Sequence, residues 1–135
     1  MTYSKVTMID DSRADALLLK RAIGKNYSNI DFSWIGDSEE GLNYLSDWSG
    51  DQPELILLDI KMPKLTGLEL LEKLTEQRQL NELPRIVVMS SSSLERDRKA
   101  ACSYPGVDYR SKPGGYHEIV ELIGELLNPE DQAAH

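Results

Sequence analysis

The sequence predicts an α/β protein built on a doubly wound, five-stranded parallel sheet of strand order 2-1-3-4-5, with five helices. Three observations carry that expectation. Apolar runs at Val6-Thr7-Met8-Ile9, Leu55-Ile56-Leu57-Leu58 and Ile86-Val87-Val88-Met89 have the length and composition of strands covered on both faces. Segments with helical spacing separate them, and strands alternating with helices imply βαβ crossovers and a parallel sheet. A polar side chain also stands where each run stops: Asp10-Asp11, Asp59, Ser90 and, after the weaker run Val107-Asp108-Tyr109, Lys112.

Each element follows in order. After the first strand, Asp11-Ser12 precedes a helix with Ala14, Leu18 and Ala22 on one face. Ile30-Asp31-Phe32-Ser33-Trp34 alternates apolar and polar, as a half-exposed strand does, which places it at a sheet edge. Asp37-Ser38, followed by Glu39-Glu40, caps a second helix whose inner positions are Leu42 and Leu45. Leu68, Leu71 and Leu74 mark a third helix. Ser93, followed by Leu94-Glu95, opens a fourth that runs through Ala100 and Ala101. The fifth strand alternates and takes the other edge. Ile119, Leu122, Ile123 and Leu126 form the last helix, which Asn128-Pro129 stops. With strands two and five outside and right-handed crossovers, 2-1-3-4-5 is the simplest arrangement, and its switch point lies between strands one and three. Asp10-Asp11 and Asp59 flank that point. One domain over residues 1–128 is expected, followed by a short tail, 129–135, that is too short to fold alone, with no output domain.

The totals remove several classes of function. Fifteen basic against 23 acidic residues give a net charge of -8, and the densest basic stretch, Arg96 to Lys99, contains Asp97 and reads as a solvated helix face. Phosphate neutralisation needs clustered Lys and Arg, so no nucleic-acid partner is expected. No apolar stretch approaches the roughly 20 residues that span a bilayer, and the N-terminus lacks a signal-peptide pattern, so no membrane partner is expected and a cytoplasmic location is. The single Cys102 forms no internal disulfide and is expected to pack late in the fourth helix.

Open α/β sheets bind ligands beyond the carboxyl ends of their strands, so these polar residues are expected to converge in one acidic pocket with a lysine and a hydroxyl. Two adjacent carboxylates and a third beside them repel unless a cation or protons lie between them. Mg²⁺, hard and oxygen-seeking, suits carboxylates plus a phosphoryl oxygen. A carboxylate can itself accept the phosphoryl group, and Asp59, alone at its strand end, is better placed to attack than a member of the pair. Lys112 then neutralises phosphoryl charge and Ser90 donates a hydrogen bond. Taken singly, each residue has a plainer use: Asp10-Asp11 as a helix cap, Asp59, Ser90 and Lys112-Pro113 as turn or loop residues. Their recurrence at the same end of successive strands favours the joint site.

Over about residues 3 to 127 the chain resembles the receiver domains of two-component response regulators, of the stand-alone type and with a flavodoxin-like fold. The likeness rests on Asp10-Asp11, on Leu57-Leu58-Asp59-Ile60-Lys61-Met62-Pro63 with Gly67 beyond, on Ser90, Tyr109 and Lys112-Pro113. It implies phosphorylation of Asp59 from the phosphohistidine of a sensor histidine kinase, with Mg²⁺ held by Asp11, Asp59 and the backbone carbonyl of Lys61, and by Asp10 through a metal-bound water. It implies a cis Lys112–Pro113 bond, tolerated at an X-Pro position. It implies a switch in which Ser90 moves to the phosphoryl group and Tyr109 turns inward, altering the face made by the fourth helix, fifth strand and fifth helix; for Tyr109 the plainer use is an edge-strand aromatic covering core.

Several positions depart from the common pattern. Ser90 stands where threonine is more frequent, and Ser91 where a smaller residue is usual. Lys61 and Ser92 occupy positions that tune phosphoryl lifetime in the family. A cation at Lys61 is expected to pair with the phosphoryl oxygens or with Glu39 or Glu40. Gly114-Gly115 is expected to weaken the start of the fifth helix. The expected function is a phospho-acceptor that signals by binding a downstream effector or by passing its phosphoryl group to a histidine phosphotransfer protein. No enzymatic activity is expected beyond its own phosphorylation and dephosphorylation. A receiver-like interaction module indifferent to phosphorylation is the alternative, and the complete acidic cluster weighs against it. A small phosphatase needs a general acid near Asp59, where Lys61 stands instead, and a flavodoxin-like electron carrier would announce itself by colour. The cognate kinase and the oligomeric state are not legible in the residues.

Overall fold

Strands that are apolar on both faces occupy the middle of the sheet, and those that alternate occupy its edges. The computed structural model describes residues 3–50, 52–91 and 94–128. In chain order the elements are β1 (Lys5–Ile9), α1 (Arg13–Asn26), β2 (Asp31–Ile35), α2 (Ser38–Ser46), β3 (Glu54–Asp59), α3 (Gly67–Gln77), β4 (Arg85–Ser90), α4 (Glu95–Cys102), β5 (Asp108–Ser111) and α5 (Tyr116–Leu127). The five strands are all parallel in the order β2-β1-β3-β4-β5. Every residue of β3 is buried, whereas β2 and β5 contain no fully buried residue. The expected fold is the observed one.

Alternation splits the core in two. Val6, Met8, Leu55, Leu57, Val87 and Met89 point to α1 and α5, while Ile9, Ile56, Leu58, Ile86 and Val88 point to α2, α3 and α4. Twelve large side chains are less than 2% exposed, among them Leu70, Leu71 and Leu74 of α3; burying a leucine or isoleucine fully stabilises by about 1.5–3 kcal/mol. Register aligns the strand ends: Ile9 lies beside Leu58 and Ile35, Asp59 beside Met89, and Ser90 beside Ser111. The residues following β1, β3, β4 and β5 therefore meet at one edge.

The opposite edge carries a second polar cluster. Glu54, 6% exposed, accepts hydrogen bonds from Thr7 Oγ1 (2.6 Å), Tyr44 Oη (2.7 Å) and Trp48 Nε1 (3.0 Å). A buried carboxylate left unpaired would be costly, so three donors here make an anchor that ties α2 and its following loop to β1 and β3. Arg78 continues the anchor by donating to the backbone carbonyls of Leu45 and Trp48.

Some expectations at element level are corrected. The buried face of α1 is Ala16, Leu19, Ala22 and Ile23, while Ala14 and Leu18 are exposed. Leu17-Leu18-Leu19 supplies an apolar residue in three successive phases, so periodicity could not choose among them. In α3, Leu70 is fully buried and Leu68 only half-buried. Cys102 is exposed at the end of α4 and does not pack. The Lys112–Pro113 bond is trans, as no described peptide bond is cis; the tertiary amide leaves a trans preference of about 0.5–1 kcal/mol. Ser92, Ser93 and the tail 129–135 lie outside the described residues, and α4 is preceded by Leu94 with no side-chain cap. Among the described residues, no helix is long and apolar enough to cross a membrane.

Candidate functional site

The carboxyl edge of the sheet is built from four strand exits. Asp10 follows β1, and its Oδ1 accepts the Ser12 backbone N–H at 2.9 Å, while the Ser12 side chain accepts from Asp15 N and caps α1. The capping role considered for Asp10-Asp11 thus belongs to Ser12, with Asp10 bracing the turn before it. Asp59 is the last residue of β3 and only 5% exposed; Ser90 ends β4 and is fully buried. The Lys112 backbone N–H donates to Ser90 O at 2.9 Å, which fixes the start of the lysine relative to β4.

Carboxylates and ammonium meet as expected. One carboxylate oxygen each from Asp10, Asp11 and Asp59 lies within 4.8 Å of the others, with Asp11 exposed and the other two buried. Lys112 Nζ lies 2.8 Å from Asp10, 3.3 Å from Asp59 and 3.1 Å from Asp15. Burial, with the charges of Asp10 and Asp11 adding to it, raises the Asp59 pKa to about 6, although Lys112 opposes the shift. Burial also works against the Lys112 ammonium, but the hydrogen bond and charge of Asp10 and the charge of Asp59 outweigh it and hold its pKa above the ordinary value. Oxygen donors, a clustered negative charge and a carboxylate that resists ionising fit a hard divalent cation such as Mg²⁺. Asp10, Asp11 and Asp59 are the side chains that would hold it.

Gly67 explains its own place in the motif. A Cβ there would sit 2.3 Å from the carbonyl oxygen of Asp59 and 3.1 Å from Ile60 Cα, and the Gly67 N–H donates to Ile60 O at 2.8 Å. The start of α3 therefore packs directly on the backbone at the end of β3. The loop between them is held from α2: Ser38, 1% exposed, donates to Pro63 O at 2.8 Å and accepts from Leu65 N at 3.1 Å. Lys64, at φ +71°, pairs with Asp37 at 2.7 Å and with Glu39 at 3.4 Å. Glu39 is thus taken by Lys64 and not by Lys61, which is exposed; Lys64 reaches it because its left-handed backbone turns the side chain toward α2. Tyr109 is half-buried and packs against the core on the α3 and α4 side.

The motif reading missed four contributors. Asp15 reaches Lys112 from α1, Ser38 and Lys64 clamp the loop after Asp59, and Trp34 Nε1 donates to Asp10 O at 2.6 Å. The Trp34 ring lies over Gly36, where a Cβ would come within 2.9 Å of it.

With this geometry in hand, likeness to known proteins is informative. The response regulator receiver domain family matches residues 6–124. A probable methanogenesis regulatory protein, FilR2, of Methanothrix harundinacea is 27% identical over 124 residues, covering 90% of this chain and 79% of that protein. A protein-glutamate methylesterase/protein-glutamine glutaminase of Methanospirillum hungatei is 33% identical over 125 residues, covering 90% of this chain and only 34% of its own length. The crystal structure of the phosphorylated cyanobacterial phytochrome response regulator RcpA superposes with a TM-score of 0.77 at 25% identity, over 93% of this chain and 94% of that one. A family match that spans nearly the whole described chain, on the 2-1-3-4-5 sheet and with the acidic cluster at its switch point, makes this chain a member of the response regulator receiver domain family.

Proposed function

We propose that this receiver domain accepts a phosphoryl group on Asp59 from the phosphohistidine of a sensor histidine kinase. The observation that carries the proposal is a buried Asp59 carboxylate set between two further carboxylates and the Lys112 ammonium. An Asp59 carboxylate oxygen forms the new P–O bond as the P–N bond of the phosphohistidine breaks, and the imidazole departs with that electron pair and takes a proton from solvent. With a pKa near 6, Asp59 is mainly ionised at neutral pH and available to attack. Lys112 neutralises charge on the phosphoryl oxygens, and Ser90 offers its hydroxyl to one of them. Asp10, Asp11, Asp59 and the Lys61 carbonyl would hold Mg²⁺, which when bound would supply further neutralisation of the phosphoryl charge.

The signal is proposed to pass through Ser90 and Tyr109 to the face of α4, β5 and α5, where it alters binding of an effector, or to continue by transfer to a histidine phosphotransfer protein. Tyr109 starts half-buried against the core on the α3 and α4 side. Lys61, and Ser92 beyond the described residues, are proposed to tune the phosphoryl lifetime. The test is intact mass after incubation with acetyl phosphate, with and without Mg²⁺, on wild type and Asp59→Asn. One added phosphoryl group that needs both Mg²⁺ and Asp59 is the expected outcome; no adduct under any condition would favour the phosphorylation-independent module.

A further inference from the structure

Lys112 is shared among three carboxylates, one of which lies outside the acidic cluster. Asp15, in the first turn of α1, donates nothing to that cluster, yet its Oδ2 stands 3.1 Å from Lys112 Nζ, nearer than the 3.3 Å to Asp59. A carboxylate in the first helical turn has an ordinary use in complementing the helix dipole. That use does not require it to reach across to a strand exit and hydrogen-bond a lysine. An ammonium has three N–H donors, and Asp10, Asp15 and Asp59 together offer an acceptor to each.

We infer that Asp15 is a positioning residue that acts through Lys112: it draws the ammonium toward α1 and competes for it with a phosphoryl group on Asp59. Phosphoryl oxygens take over the N–H that Lys112 gives Asp59, and gain a second only where Asp10 or Asp15 gives way. The Asp10 side chain is 2% exposed, whereas the Asp15 side chain is 43% exposed and exchanges the ammonium for solvent readily. Asp15 is therefore the partner that lets go. Its grip opposes phosphoryl capture, and its release leaves an unpaired negative charge in the first turn of α1. This inference rests on the phospho-acceptor reading of Asp59.

The test is equilibrium binding of beryllium trifluoride, a phosphoryl mimic that sits on a carboxylate, followed by calorimetry in saturating Mg²⁺. Wild type, Asp15→Asn, Asp15→Ala and Asp15→Glu are compared, each first shown to melt cooperatively. Asp15→Asn and Asp15→Ala are expected to bind the mimic about fivefold tighter, the scale of one partly exposed ion pair. Asp15→Glu, which keeps the carboxylate, returns toward wild type. A direct contact in a half-buried site resists salt, whereas a through-space charge does not, so the difference persists when ionic strength is raised to about 0.5 M. Unchanged or weaker binding by both neutral variants, or a difference that vanishes in salt, overturns the inference and leaves the phospho-acceptor reading intact. Wild type that takes up no mimic removes both.

Discussion

Gly67 sits so close to β3 that a methyl group on its Cα would overlap the Asp59 carbonyl oxygen, 2.3 Å away. Backbone cannot rotate aside as a side chain can, so Gly67→Ala has to push α3 off β3 or shift Asp59 itself. Overpacking typically costs about 1–3 kcal/mol, and an obstacle made of backbone belongs at the upper end. The expected outcome is a lowered denaturation midpoint together with slower phosphorylation by acetyl phosphate; stability and rate both at wild-type values would remove this account of the motif's glycine. Asp59, Asp10, Asp11, Ser90 and Lys112 were legible because each ends a recognisable strand. Asp15 and Trp34 were not, since their roles depend on where a helix and an edge strand lie relative to β1.

Among the elements, two loops at the carboxyl edge of the sheet are secured by different means. The loop after Asp59 is held by the start of α2 through Ser38 and the Asp37–Lys64 pair, and the Lys64–Asp37 contact also lowers the Asp37 pKa. Helix α5, by contrast, begins at Gly115 with no side-chain cap, directly after the lysine loop. Its first N–H groups lack the partner that a serine or aspartate would give. Amides of Tyr116 to Glu118 are expected to exchange about tenfold faster than those of Ile123 to Leu126, which lie under buried side chains. Gly115 has extended backbone that any residue adopts, and a Cβ there meets only the flexible end of Glu118 at 3.1 Å. Gly115→Ser should therefore slow those amides; equal exchange along α5 in the wild type would contradict the uncapped start.

For the whole molecule, the acidic cluster sets a dependence of stability on pH. Asp59 ionises in the unfolded chain near 3.8 and in the folded one near 6, so the folded state binds the proton more tightly. Its contribution is fully present below about pH 4 and is lost as pH rises through about 6, which amounts to about 3 kcal/mol at neutral pH. Metal-free protein should thus lose stability from pH 4 to 7 in excess of Asp59→Asn, and the variant should melt higher at pH 7. Added Mg²⁺ should stabilise wild type at pH 7, and that gain should fade below pH 6, where protons compete for Asp59. Melting curves across pH check both; parallel curves for wild type and Asp59→Asn would show that Asp59 carries no strain.

By itself the sequence determined the sheet order, the edge and central strands, and the residues that converge at the switch point, because strand length, alternation and handed crossovers are local or nearly local constraints. Tertiary structure alone decided which face of α1 is buried, since three consecutive leucines satisfy every phase until a sheet is laid against them. It also decided that Lys64 and not Lys61 meets Glu39, that Lys112–Pro113 is trans, and that Asp15 shares Lys112 with Asp10 and Asp59. Those outcomes depend on distances between side chains far apart in the chain, and hydrophobic periodicity carries no information about them.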